Sequence, residues 1–302
     1  MIPDARAAIV RSLCFHEAWS YAPTRAELLS MLDAGNAALT RHDAVRSVED
    51  ALSEGLVEEI DGRIGFPDII EKIVQTIRER DALQPRKRRR AIAVARYLAR
   101  LGGVRFVALA NTTALGNARD EGDLDIFIIT HRDSIWSTRL FGAAPFRLLK
   151  WTPAPGRERD AVCLSYFVAD DGLDLSSHML TPDDPYFRHW FLSLLPLYDD
   201  GISAEFWNAN TALRRRHPFA EKWIAPPDIR VPSSVFRVPT KIIEPLAKKL
   251  QMKWFPPGIR ERMNMDTTVM VTDQALKFHV TDNRADYRSQ YEVACRKRGV
   301  DV

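Results

Sequence analysis

Asp123 and Asp125 are the residues of this 302-residue chain whose type and spacing point most directly to chemistry. They open the run DLDIFIIT. On an extended backbone, side chains two apart leave the same face, with their roots roughly 6–7 Å from each other. Two carboxylates so placed can share one or two hard cations, and Mg²⁺ favours a few carboxylates together with phosphate oxygens. Ile126, Phe127, Ile128 and Ile129 follow without alternation, the pattern of a strand covered on both sides. Acids at the end of so buried an element need a cation or hydrogen bonds to offset their desolvation. The competing reading makes Asp123 a turn cap and leaves Asp125 solvated at the strand entrance.

The elements that must position this pair are legible on either side. An apolar run at 104–110 and another at 123–130 flank a stretch, 111–122, rich in Asn, Thr, Gly and Asp, which predicts strand, turn, strand. A third strand is predicted at 161–168. Upstream, 68–84 reads as a helix with Ile69, Ile70, Ile73, Val74 and Ile77 apolar. Pro85 then opens another, whose Val94, Tyr97, Leu98 and Leu101 form one stripe before Gly102 and Gly103 stop it. Its first turns carry five basic residues, 86–90, either a solvated helix start or contacts to a polyanion. A crossover helix is predicted at 134–149; its Arg139 either faces the site as a phosphate ligand or pairs with a surface acid.

The segment from the first strand to DLDIFIIT resembles the nucleotidyltransferase superfamily of the DNA polymerase β type. That pattern runs strand, Gly-Ser or Gly-Gly, about ten residues, then Asp-x-Asp in an apolar strand. Here Asn111-Thr112 stands in the Gly-Ser place and residues 113–122 intervene. Ala114, Gly116, Asn117 and Ala118 resemble a prokaryotic group of such proteins with an N-terminal winged helix, as do IWSTRLF (135–141), VCLSYFV (162–168), PLY (196–198) and FHVTDNR (278–284). The resemblance implies a Mg²⁺-dependent enzyme. Asp123 and Asp125 would hold one or two ions, and Asn111, Thr112, Asn117 and Arg119 would hold the turn or a nucleoside triphosphate. It also implies a third metal-binding acid near the third strand. No acid lies inside 161–168; Asp160 at its start and Asp170-Asp171 beyond its end are the nearby candidates, and Asp160 is the choice. A Thr keeps the family's hydroxyl, whereas Asn111 adds a side chain where glycine would let phosphate approach, although Asn tolerates a left-handed backbone.

Composition limits the alternatives. With 46% apolar and 27% charged residues the chain can bury a sizeable core, and its 43 basic and 40 acidic residues nearly cancel, so any contact with nucleic acid must come from local clusters. Cys14, Cys163 and Cys295 form no Cys-x-x-Cys unit, which argues for a reducing compartment and against a thiolate zinc site. No apolar run approaches a membrane span, and MIPDARAAIV lacks a cleavable apolar segment, so a cytoplasmic location and no membrane partner are expected. The motifs of P-loop ATPases, dinucleotide-binding Rossmann folds and α/β-hydrolases are missing. Among seven scattered histidines, His279 is the one to test.

The remaining chain divides in two. Residues 1–67 predict three helices, the second capped by Thr24 and Glu27 and the third at 43–55, followed by a hairpin turning at Asp61-Gly62, the order of a winged helix. The third helix with its leading residue sets His42 and Arg46 against Asp43, Glu49, Asp50 and Glu54, so DNA ranks behind a structural or partner-binding role. Residues 181–302 predict mostly helices, including one over 181–198 stopped at Pro196, one over 205–217 and one over 242–254. An extended connector is expected at 225–240, short strand-like pieces at 268–273 and 275–280, and a last helix after Asp282. The expected fold is α/β (α+β), a nucleotidyltransferase-type mixed sheet within 68–180, with an N-terminal winged helix and a C-terminal helical region. The expected function is transfer of a nucleoside monophosphate from a triphosphate to an unknown hydroxyl acceptor. The alternative is a catalytically inactive relative that senses nucleotides as a regulator or adaptor.

Overall fold

Local signals set the N-terminal unit. Pro3 opens α1 (Pro3–Ala18), which buries Ala8, Ile9 and Leu13. Thr24 and Glu27 complete a capping box at α2 (Arg25–Ser30), and the Thr40 hydroxyl accepts from the Asp43 N–H to cap α3 (Arg41–Ser53). Strands β1 (Glu58–Ile60) and β2 (Arg63–Gly65) pair antiparallel across Asp61 and Gly62, both at positive φ (54° and 71°), as a two-residue turn requires. The structure, a computed structural model, describes residues 2–224 and 240–302; the connector expected at 225–240 lies outside them save for residue 240.

Two helices, α4 (Ile70–Asp81) and α5 (Gln84–Leu98), lead into a mixed six-stranded sheet. Its first strands are β3 (Val104–Leu109) and β4 (Leu124–Thr130), antiparallel, joined through a one-turn helix α6 (Asn111–Ala114). Then α7 (Ile135–Leu148) crosses over to β5 (Val162–Ala169), parallel to β4. Gly103 is required beside this crossover, because a Cβ there would strike the Thr138 side chain.

Beyond residue 180 the chain departs from the expected run of helices. The helix α8 (Pro185–Leu192) is capped by Asp184 and ends before Pro196. Residues Leu195–Asp199 form β6 on the outer side of β3. An edge strand accommodates a proline, which has no N–H to give, and the register slips where Pro196 meets Ala108. The helix expected over 205–217 divides into α9 (Ser203–Ala209) and α10 (Thr211–Arg214) at Asn210, whose side chain bonds the backbone of Leu173, Leu175 and Phe206. After α11 (Thr240–Trp254) and α12 (Pro257–Arg262), strands β7 (Val269–Val271) and β8 (Ala275–Phe278) extend the sheet beside β5. The sheet order is therefore β6-β3-β4-β5-β8-β7; β7 and β8 fall on the strand-like pieces expected at 268–273 and 275–280, whereas β6 takes the end of the helix expected over 181–198. The last helix, α13 (Arg284–Lys297), returns to α1 and buries Tyr291 and Cys295 in the N-terminal core.

Alternation along β4 explains both layers. Leu124, Ile126 and Ile128 pack with α5, α7 and Phe255, while Phe127 and Ile129 join an aromatic layer of Phe106, Tyr166, Trp190 and Phe206. The unalternating run is thus buried on both sides, as expected, and Asp123 and Asp125 share the parity of Phe127.

Candidate metal centre

Asp123 stands just before β4 and Asp125 is its second residue, both half-buried at the end of a strand whose residues 126–130 are buried. Their neighbour is Cys163, paired with Asp125 across the parallel ladder. One carboxylate oxygen from each Asp and the thiol sulfur lie within 4.8 Å of one another. A bulge makes this possible. Between the pairs Asp125–Cys163 and Phe127–Tyr166, β5 carries one extra residue, so Cys163 and Tyr166 both reach the face occupied by Asp125 and Phe127.

Burial dominates the electrostatics of the pair. Burial, then the charge of Asp125, pushes the Asp123 carboxyl up to about 7. Asp125 is also raised by burial, against the hydrogen bonds of Asn111 and Cys163, which hold it down. Burial and the two carboxylates raise the Cys163 thiol well above its ordinary range. Among the described residues neither Asp123 nor Asp125 forms an ion pair with Lys or Arg.

Asn111 sits at φ 57°, the left-handed conformation its type tolerates, and its side chain enters the site. Its amide donates to Asp125 Oδ2 at 2.6 Å and its carbonyl accepts from the Tyr186 hydroxyl at 2.9 Å. Asn111, Asp125, Tyr186 and Lys277 line a cleft of about 230 Å³ with aromatic walls.

The other expected site residues are placed differently. Asp160, expected as the third acid, is instead closed by cations: Arg86 Nε lies 2.8 Å and Lys87 Nζ 3.0 Å from its oxygens. The third donor beside the pair is Cys163. Asn117 is fully buried and structural, accepting from Arg80 and donating to the Ser20 carbonyl, which ties the turn to the N-terminal unit. Arg119 is exposed on the turn, and Thr112 is half-buried, its carbonyl accepting from the Asn117 N–H outside the cleft. The basic run at 86–90 opens a helix, where positive charge opposes the helix dipole. Asp120 and Asp160 offset it through Arg86, Lys87 bonds the Gly122 carbonyl, and Arg90 lies over Trp151. Arg139 takes neither expected role: it is buried, bonded to Gln251 and stacked on Phe278. His279 lines the cleft with Nε2 3.2 Å from Ser165 Oγ; burial, then Lys277, pushes it down to about 3.

Cys163, Tyr186 and Lys277 are not legible as site residues from spacing, because they meet Asp125 only through strand pairing and the packing of α8. The bulge that turns Cys163 inward leaves no mark in VCLSYFV.

No protein-family model, curated protein or solved structure matches the chain. Among the described residues no helix is long and apolar enough to cross a membrane.

Proposed function

We propose that this chain is a divalent-metal-dependent nucleotidyltransferase, moving a nucleoside monophosphate from a triphosphate to a hydroxyl acceptor. The observation that carries the reading is the pair Asp123 and Asp125, held together beside a cleft with no ion-pair partner among the described residues. The donor set fits a divalent cation: two oxygen ligands, one of them raised to about 7 by burial and its neighbour, are relieved when positive charge arrives. The Cys163 thiol is a neutral neighbour for Mg²⁺ and a soft ligand for Zn²⁺ or Cd²⁺. When bound, the cation supplies charge neutralisation on the triphosphate and acidifies the acceptor hydroxyl.

The chain's own residues prepare this. Asp123 gives up its proton on loading, one oxygen of Asp125 accepts from the Asn111 amide, and Tyr186 fixes Asn111. Thr112, at the head of the turn and outside the cleft, is the hydroxyl this reading assigns to phosphate. In the same reading the sheet is of nucleotidyltransferase type. The three helices and hairpin of the N-terminal unit are a winged helix, whose acid-rich α3 suits a protein partner better than DNA.

One observation favours the second reading, a nucleotide-sensing protein without turnover: Asn111 stands where a glycine would admit phosphate, and its amide covers one oxygen of Asp125. Calorimetry with a panel of nucleoside triphosphates, with and without Mg²⁺, followed by a pyrophosphate-release assay across candidate hydroxyl acceptors, separates the two. Metal-dependent binding with release supports the transferase, binding without release supports the sensor, and no metal-dependent binding removes the transferase.

A further inference from the structure

The cleft beside Asp125 contains a charged side chain that the metal centre does not use. Lys277 on β8 pairs with Tyr166 of β5, so both side chains stand on one face of the sheet. Lys277 is 1% exposed, and its Nζ lies 5.6 Å from the Tyr166 ring centroid and 5.3 Å from that of Phe187. That nitrogen has no hydrogen-bond partner among the described residues.

The acids in range are committed elsewhere. Asp184 accepts from Arg284 and from the N–H groups of Leu180 and Phe187. Asp282 accepts from the side chain and backbone of Arg284, and Asp266 from Thr268. His178 is bonded to the Tyr166 hydroxyl and His279 to Ser165. A buried amine left unpaired destabilises the fold. Burial and then the Arg284 charge push it down to about 7, which leaves it ready to take a proton if an anion arrives.

We propose that Lys277 is the charge partner of an anionic oxygen group, phosphate or carboxylate, on a ring-bearing small molecule seated in this cleft. Tyr166, Tyr186, Phe187, Trp190 and Tyr287 supply flat apolar walls for the ring. At about 230 Å³ the cleft is smaller than the ~300–1,000 Å³ of common ligand pockets, which suits one ring with one anionic group better than a whole nucleotide. The assignment of this ligand as the acceptor rests on the transferase reading; its binding does not, because no metal is involved.

The test is calorimetry in EDTA with two probes, phenyl phosphate and 4-hydroxybenzoate, which separate a phosphate from a carboxylate source. At least one binds the wild-type chain, and Lys277→Met weakens it by about ten- to a hundredfold, the range for a charged hydrogen bond. Lys277→Met melts at or above the wild-type temperature, because a methionine fills the same space without an unpaired amine. A residue kept for structure would give the opposite. In the wild-type chain at about pH 8, buffers of differing ionisation heat report uptake approaching one proton per ligand as the amine recharges. Failure of both probes to bind at about 10 mM, equal affinity of Lys277→Met, or absence of proton uptake would each overturn the proposal, whatever the outcome with Mg²⁺ and triphosphates.

Discussion

Asp120 and Asp160 are each closed by cations, Asp120 by Arg86 and Arg159 and Asp160 by Arg86 and Lys87. A few residues along the same turn, Asp123 and Asp125 face each other and a thiol instead. The Arg86 hydrogen bond holds the Asp120 carboxyl below its ordinary range, while Asp123 is pushed up to about 7. One group of acids spends its charge inside the protein, fastening the basic start of α5 to the turn. The other is hydrogen-bonded by Asn111 and Cys163 but has no ion-pair partner among the described residues, and a half-buried pair of acids without a cation beside it is a candidate functional site. Asp160 belongs to the fastening group despite lying next to the right strand.

The sharpest way to break this contrast is to remove one acid from each group. Asp123→Asn and Asp125→Asn should each lower metal-dependent nucleotide transfer by about a thousandfold or more, since metal-centred charge stabilisation amounts to several kcal/mol. The fold should survive. For Asp123 the sign follows from its raised carboxyl. Between pH 3.8 and 7 the folded chain keeps a proton that the unfolded chain releases, so this group's contribution to stability is full at the acid end and is lost as pH rises toward 7. Asp123→Asn should therefore melt above the wild type at pH 8, with the gap closing at pH 5. Melting curves across that range check it; a gap that widens toward acid would reverse the assignment of charge.

Asp160→Asn should behave in the opposite way. It leaves Lys87, which is wholly buried, without its carboxylate, and should cost about 3 kcal/mol of stability, moderated by the carbonyls of Asp120 and Gly122 that Lys87 also bonds. Turnover per folded molecule should change little. Urea unfolding together with an activity assay separates the two effects, and a loss of turnover at unchanged stability would return Asp160 to the catalytic group.

The contrast also explains what the residues alone disclose. Asp123 and Asp125 are legible because strand periodicity, a local property, puts them on one face, and the two flanking apolar runs are strong strand formers. The capping box at Thr24 and Glu27 and the turn at Asp61 and Gly62 are equally local, and both form. Asp160 and Asn117 are not legible in this way, since their partners lie far off in sequence: Arg86 and Lys87 for one, Ser20 and Arg80 for the other. Residues 195–199 fail for the same reason. Their apolar character continues the helical pattern of α8, and only pairing with β3 makes them a strand. Lys277 is the extreme case, because its significance lies in having no hydrogen-bond partner among the described residues.

Asn111→Gly should sharpen the contrast by opening the second group further. Glycine keeps the φ of 57° without strain, and it removes the amide that occupies Asp125 Oδ2. Divalent-cation affinity should rise about three- to tenfold, the worth of one hydrogen bond no longer competing for that oxygen, while stability falls by about 1–2 kcal/mol as Tyr186 also loses its partner. Isothermal titration with Mn²⁺ reads the first and thermal unfolding the second. An unchanged or weaker affinity would mean that Asn111 aims the carboxylate rather than blocks it.

The smallest expected effect isolates the thiol. In Cys163→Ser the hydroxyl still donates to the neighbouring carboxylates, so their charge state is kept and only the softness of the third donor changes. Mg²⁺ takes oxygen ligands and ignores a neutral thiol, so Mg²⁺-supported transfer should move by less than about twofold. Cd²⁺ and Zn²⁺ draw off the thiol proton and bind the thiolate, so they should inhibit the wild-type chain at lower concentration than the serine variant. Dose–response curves for Cd²⁺ at fixed Mg²⁺ give the comparison. Coincident curves would place Cys163 outside the metal's reach and leave the two aspartates as its only protein ligands among the three.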